Sequence, residues 1–436
     1  MTDFRTLKER AETLRRDKQY EQALTAFDEV LNLYPDQASE RERWGKAYCL
    51  RQLDRQREAL DLCREIYRTH PEFGPNRNLY GWCVYDLEIK PLREGEPDDV
   101  KTFFRAAEAI TQLTLQEPYS PYERTVFEVL RYLKERQTYP ADEVLAWCDR
   151  LDPAKLSTEA RRYSGRDGKE RIEASSLEQW YGHRTKALEH LRRWEELIVV
   201  CNEALDRLTE FHYSDEIWFR RRIATAKAEL GDLSAAIGDL KALVRLKPEW
   251  FIQADLARLL HETGDDEAAL EYAVDAALSP GELAFKWDLF ALMGDLFAAQ
   301  GKPEVAGQHY RLASALRAEQ GWREDIELAQ QVRDLPPVPE QPASSLAREL
   351  EGVWRALKFS DQERGTGEIE RIDAGKRNGF IRSDDGRRIF FRYRSFVSPR
   401  NRLMIGTKVS FFLQSSFDKS KNRDSEEAID IREIGS

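Results

Sequence analysis

Gly379-Phe380-Ile381, Asp384-Asp385-Gly386 and Ile389-Phe390-Phe391-Arg392-Tyr393 follow one another closely near the end of the chain. Two apolar stretches separated by an Asp-Gly turn signal predict a β-hairpin. Alternation along the second strand puts Phe390 and Arg392 on one face and Ile389, Phe391 and Tyr393 on the other. Positive charge is dense around it: Arg371, Lys376, Arg377, Arg382, Arg387, Arg388, Arg392 and Arg394. Outward aromatic rings beside guanidinium groups suit stacked bases and the phosphates between them.

Working outward, Gly367-Glu368-Ile369 reads as a strand before the hairpin. Leu403 to Phe411 reads as a turn and a fourth strand, and Ala428-Ile429-Asp430-Ile431 as a closing strand. This order resembles a cold-shock domain, the five-stranded antiparallel OB-type barrel that binds single-stranded nucleic acid. Lys376-Arg377-Asn378-Gly379-Phe380-Ile381 falls on that family's first binding motif, and Ile389 to Tyr393 on its second. The resemblance implies nucleic-acid contacts by Arg371, Lys376, Arg377, Phe380, Arg388, Phe390, Arg392 and Tyr393. The surface departs from the pattern at three places. Arg371 stands where the family has a stacking Trp, Asn378 where it has an exposed Phe, and Arg392 where it has His. Each missing ring removes roughly 1–3 kcal/mol of stacking, so the site shifts towards electrostatics.

Charge divides unevenly. The chain holds 68 Lys+Arg against 79 Asp+Glu, a net of -11. Residues 364–436 carry 16 basic and 11 acidic residues, net +5, which leaves 52 against 68, net -16, for the rest. An acidic body argues against coating by a polyanion and suits a small nucleic-acid head on a body with another task.

Residues 1–331 read as a helical repeat domain. Gly231-Asp232, Gly264-Asp265 and Gly301-Lys302 are turns, each followed by a helical face that starts with Ala236, Ala269 or Ala306. Those alanines lie 33 and 37 residues apart, and Ala23 and Ala59 lie 36 apart, which matches a two-helix repeat. With Trp44-Gly45-Lys46-Ala47-Tyr48, these segments resemble tetratricopeptide repeats. Stacked pairs of that kind offer a concave surface for a protein partner. Between about 72 and 190 helices such as 103–115 and 122–135 are visible without a regular period. Arg161 to Lys169 reads there as a basic loop and a second, weaker nucleic-acid candidate. One of Arg220, Arg221 and Arg222 is expected to face the groove.

Four prolines within Leu335 to Pro342 predict a stiff linker over 332–345. An amphipathic helix follows over 346–363, capped by Ser344 or Ser345, with Leu346, Leu350, Val353, Trp354 and Leu357 as its stripe. The barrel domain takes 364–436. The expected fold is therefore multidomain and mainly α, a helical solenoid followed by a small barrel.

Cys49, Cys63, Cys83, Cys148 and Cys201 show no Cys-x-x-Cys pair, which points to reduced thiols in a cytoplasmic protein. The polar start lacks a secretory leader, and no apolar run approaches a membrane span. His70, His183, His190, His212, His261 and His309 form no metal motif, and no phosphate-binding glycine loop follows a strand. The expectation is a non-enzymatic adaptor without cofactors. Its barrel contacts single-stranded RNA, with single-stranded DNA as second choice, and its repeats recruit a protein. The alternatives are a protein scaffold whose barrel has lost nucleic-acid affinity and, third, an RNA-processing enzyme.

Overall fold

The computed structural model describes residues 3–91, 99–164, 167–168, 170–212, 215–339, 341–360, 362–418 and 423–434. Contacts divide the chain into two compact units between Asp239 and Leu240. The first holds α1 (Phe4–Arg16), α2 (Tyr20–Leu33), α3 (Glu40–Gln52), α4 (Gln56–Thr69), α5 (Gly74–Val84) and α6 (Val100–Leu113). It continues with α7 (Tyr122–Lys134), α8 (Ala141–Cys148), β1 (Arg161–Ser164), β2 (Glu170–Glu173), α9 (Ser176–His190), α10 (Trp194–Arg207) and α11 (Asp215–Glu229). The division falls inside α12 (Leu233–Leu246). The second unit holds α13 (Trp250–Glu262), α14 (Asp266–Leu278), α15 (Trp287–Ala299), α16 (Pro303–Glu319), α17 (Ile326–Arg333) and α18 (Ala343–Lys358). Its strands are β3 (Gly365–Asp373), β4 (Asn378–Ser383), β5 (Arg388–Arg392), β6 (Lys408–Asp418) and β7 (Arg423–Glu433). The fold is mainly α, tetratricopeptide-like helix pairs followed by a closed barrel.

Local chemistry starts and stops the helices. Asp3, Asp99, Asp265 and Asp325 each accept a first-turn backbone N–H, and Ser39 with Glu42 forms a reciprocal capping box. Within six of the pairs, a left-handed residue sits two positions past the end of the first helix. Gly231, Gly264 and Gly301 take that conformation freely. Lys18, Asp54 and Arg192 adopt it too, with φ between 55° and 61°. The repeat turn therefore recurs where no glycine advertises it. Ala23, Ala59, Ala236, Ala269 and Ala306 are all buried. Gly45 has no room for a side chain, because a Cβ would lie 2.4 Å from the Phe27 ring.

The stretch read as a basic loop is in part a hairpin: β1 pairs antiparallel with β2, from Arg161 opposite Glu173 to Ser164 opposite Glu170. Gly165, Arg166 and Lys169 lie outside the described residues. The strand pairing follows from β-favouring Tyr163 and Ile172, which local charge concealed.

The segment expected as a linker is tied at both ends to α16. Arg311 donates to the Pro336 carbonyl at 2.7 Å, and the Ala343 N–H donates to Glu319 at 2.8 Å. Helix α18 begins at Ala343 and ends at Lys358, with Pro342 at the cap position and no side-chain cap. Ser344 and Ser345 thus lie inside the helix rather than capping it, because proline's fixed φ already starts the turn. Leu350 and Trp354 of its stripe are buried against α14 and α16. The Trp354 ring stacks on Phe290 at 5.2 Å, and Lys358 reaches Asp275 at 2.7 Å.

Trp354 also donates its Nε1–H to Nε2 of buried His309 at 2.9 Å, while the Nδ1 of that ring lies 2.8 Å from the Val305 carbonyl. The two partners demand a neutral ring protonated on Nδ1, and burial lowers the His309 pKa from 6.5 to about 4. The unfolded chain takes up this proton near pH 6.5 and the folded chain only near pH 4. Stability present at neutral pH is thus lost as pH falls through that window, by about 3 kcal/mol from this group. Urea unfolding at pH 7 and pH 4.5 checks this. His309→Gln is expected to be less stable at pH 7 and to lose less on acidification. Equal losses in both chains would contradict the assignment.

The barrel closes in the order β3-β4-β5-β7-β6, with β6 returning to β3. One pairing departs from the expected antiparallel set: β5 and β7 run parallel, with Phe390 opposite Glu427 and Phe391 opposite Ala428. The long excursion between them lets β7 enter the sheet from the other end. Ile369, Ile381, Ile389, Phe391, Val409, Phe411, Ala428 and Ile431 fill the interior. Alternation then sends Phe380, Arg382, Arg388, Phe390 and Arg392 outward.

Candidate nucleic-acid interface

Phe380 and Phe390 face each other across β4 and β5, half-buried on the outer face, with ring centroids 5.7 Å apart in an edge-on arrangement. Register brings Arg371 opposite Phe380, after a bulge between Ile369 and Arg371. One row across three strands therefore reads Arg371, Phe380, Phe390. Arg371 is exposed and has no carboxylate partner among the described residues. The adjoining turn adds Lys376 and Arg377, also exposed and with side chains that have no carboxylate partner among the described residues, with Arg377 at φ 52°. Gly379 is required here: a Cβ would lie 2.4 Å from the Arg371 carbonyl.

The other arginines are partly committed. Arg388 lies over the Phe380 ring at 4.4 Å, and its Nε is 2.8 Å from Glu370. Arg382 pairs with the same carboxylate, and Arg392 lies 3.5 Å from Glu427. Arg387 is shared by Asp385 at 2.7 Å and Glu426 at 2.8 Å, and the hydrogen bonds from Arg387 lower the Asp385 pKa to about 2. Glu370 and Glu427 were missed as members of this face. Glu427 is far from the hairpin in sequence, and the bulge displaces Glu370 from simple alternation.

Tyr393 does not join the aromatic row. It begins a short 3-10 turn, packs beside Phe391 at 6.5 Å between centroids and donates its N–H to the Arg377 carbonyl. Of the sequence-derived set, Arg371, Phe380, Arg388, Phe390 and Arg392 share the outer face. Lys376 and Arg377 sit at its edge, and Tyr393 lines the interior side.

One short stretch of the body matches a known family. Residues 9–36 fit the family model described as a tetratricopeptide repeat. They span most of α1 and all of α2. A Parabacteroides merdae tetratricopeptide-repeat structure is similar at 11% identity over 76% of this chain and 97% of that one, with a TM-score of 0.29. A human IFIT1 dimer with PPP-AAAA is similar at 14% identity over 82% of this chain and 83% of that one, TM-score 0.34. Pseudomonas aeruginosa pilF is similar at 10% identity over 68% of this chain and 97% of that one, TM-score 0.30. Likenesses this remote carry no argument about function. No curated protein matches the sequence.

Among the described residues, no helix is long and apolar enough to cross a membrane, and no group of three metal-binding side chains comes together.

Proposed function

We propose that this protein is a non-enzymatic, cytoplasmic adaptor whose barrel contacts single-stranded RNA and whose helical repeats hold a protein partner. The observation that carries the reading is the outer-face row of Arg371, Phe380 and Phe390, two rings and an uncommitted guanidinium at the spacing of adjacent strands. The strand order and its parallel pair support an OB-type, cold-shock-like reading of the barrel, in which the second and third strands present the binding face. Those strands are β4 and β5. The repeats supply stacked helix pairs of the kind that bind peptides or helices.

The competing reading is a scaffold whose barrel no longer binds nucleic acid. It draws support from Glu370 and Glu427, which neutralise Arg382, Arg388 and Arg392. Titrating the full chain against short labelled RNA and DNA of the same sequence decides between them. Binding to neither strand favours the scaffold.

A second expectation concerns salt. With Arg371, Lys376 and Arg377 as the uncommitted cations, the slope of log affinity against log salt should be about -2, near 0.7 per phosphate on a single strand. Replacing all three with alanine should flatten it. An unchanged slope would place the phosphate contacts elsewhere.

A further inference from the structure

Arg388 covers one face of the Phe380 ring, its guanidinium carbon 4.4 Å from the centroid, while Phe390 meets that ring edge-on at 5.7 Å. The cover follows from register. Phe380 lies opposite Phe390 and Arg382 opposite Arg388, so Arg388 is the diagonal neighbour of Phe380 on the outer face. A base that approaches this face of Phe380 meets a guanidinium first.

The bulge in β3 decides how Arg388 is held. Its extra residue is Glu370, which falls between Ile369, opposite Ile381, and Arg371, opposite Phe380. Bulges re-aim side chains, and this one turns a carboxylate towards two arginines of the hairpin. Arg382 donates to Oε1 of Glu370, and Nε of Arg388 lies 2.8 Å from Oε2. The hydrogen bond from Arg382, with the charge of Arg388 beside it, holds the Glu370 carboxyl below its usual range. The carboxylate therefore stays ionised at neutral pH. The ring beneath Arg388 and the carboxylate at its edge fix the guanidinium between them. Its side chain is still 49% exposed, which leaves surface open to a ligand.

A guanidinium serves nucleic acid in two ways, as a charge for phosphate or as a plane for a base. Pairing with Glu370 offsets the charge of Arg388 and leaves its plane. Phosphates have other cations here, because Arg371, Lys376 and Arg377 are exposed without a carboxylate partner among the described residues.

We propose that Arg388 binds a nucleobase rather than a phosphate. Its guanidinium is a stacking platform resting on Phe380, and Glu370 is the positioning residue that holds it there. This rests on the reading of the outer face as a single-stranded RNA site, and it gives that site two adjacent base seats, Phe390 and Arg388.

The test uses the full chain, a short fluorescein-labelled oligoadenylate, and a strand of the same length that keeps its phosphates but lacks bases. Arg388→Lys keeps the charge and removes the plane. It is expected to weaken oligoadenylate binding about fivefold or more, the low end for one stacked base, and to leave the abasic strand within about twofold. Glu370→Ala releases the guanidinium, so the salt dependence should steepen as Arg388 becomes an ordinary phosphate contact. Arg388→Lys added to Glu370→Ala should then cost less than it does alone. Both side chains lie outside the barrel interior, and circular dichroism checks that each variant folds. Parent-like oligoadenylate affinity in Arg388→Lys overturns the assignment. An equal loss on the abasic strand also overturns it and makes Arg388 a forked phosphate contact. A cost of Arg388→Lys that is unchanged without Glu370 overturns the positioning role. A parent chain that binds oligoadenylate no more tightly than the abasic strand overturns the RNA reading together with this inference. Where the parent prefers oligoadenylate, failure of the Arg388 result strikes this inference alone.

Discussion

Alanine at both Phe380 and Phe390 is expected to weaken binding of a short single-stranded RNA by at least about 30-fold. Each stacked base is worth roughly 1–3 kcal/mol, and the low end for two rings gives that factor. The barrel should stay folded, because both rings lie half-buried on the outer face while Ile381, Ile389 and Phe391 fill the interior. The variant loses the edge-on ring pair, worth about 0.5–1.5 kcal/mol, and the Arg388 contact over Phe380, worth about 0.5–1 kcal/mol. Fluorescence anisotropy gives the affinity, and thermal unfolding followed by circular dichroism shows whether the variant folds. A folded double variant that binds as tightly as the parent removes this face as the RNA site.

Asp430→Ala should produce the largest loss of stability in the second unit, about 3–5 kcal/mol, the scale for removing one member of a buried ionic cluster. The Asp430 carboxylate is almost fully buried, accepts from Arg355 at 2.7 Å and Arg364 at 2.7 Å, and forms an ion pair with Arg432 at 3.2 Å. Arg355 belongs to α18 and Arg364 precedes β3, so this side chain joins that helix to the barrel. Arg364 also covers Phe412 at 4.3 Å, and Phe412 stacks on Phe359 at 4.1 Å. Without the carboxylate, the guanidinium groups lose their shared anion, although their partial exposure lets water recover some of the loss. Asp430 has φ 46°, a conformation alanine tolerates poorly. Asp430→Asn separates the two effects, since asparagine accepts that backbone and keeps an acceptor. It should lie between the parent and the alanine variant. Urea unfolding and hydrogen exchange of α18 report the outcome. An alanine variant within about 0.5 kcal/mol of the parent would show that the cluster holds nothing together.

Much of the barrel was legible because its signals are local. Alternation fixed which way Phe390 and Ile389 point, and Asp385-Gly386 marked the turn. Alternation also placed Tyr393 with Ile389 and Phe391, and it packs on that interior side although the strand ends one residue before it; its contact role came from the resemblance alone. The repeat rhythm was plain where Gly231, Gly264 and Gly301 punctuate it. It was fainter at Arg192, where an ordinary side chain adopts the same left-handed backbone. Helix α18 was recognised from its apolar stripe, but its seat was not. That seat depends on Phe290 and His309, which are distant in sequence.

By itself, the sequence determined the helix pairs, the inward and outward faces of the barrel strands, and the split between an acidic body and a basic end. These follow from periodicity and composition, which need only near neighbours. Tertiary structure alone decided which arginines remain free. Folding puts Glu370 against Arg388 and Glu427 against Arg392, while Arg371, opposite Phe380 in the register, has no carboxylate partner among the described residues. It also decided that Lys134, Lys186 and Arg222, scattered along the chain, line one cavity in the first unit. Charge acts through space, so its balance at any point is set by the contacts that folding creates.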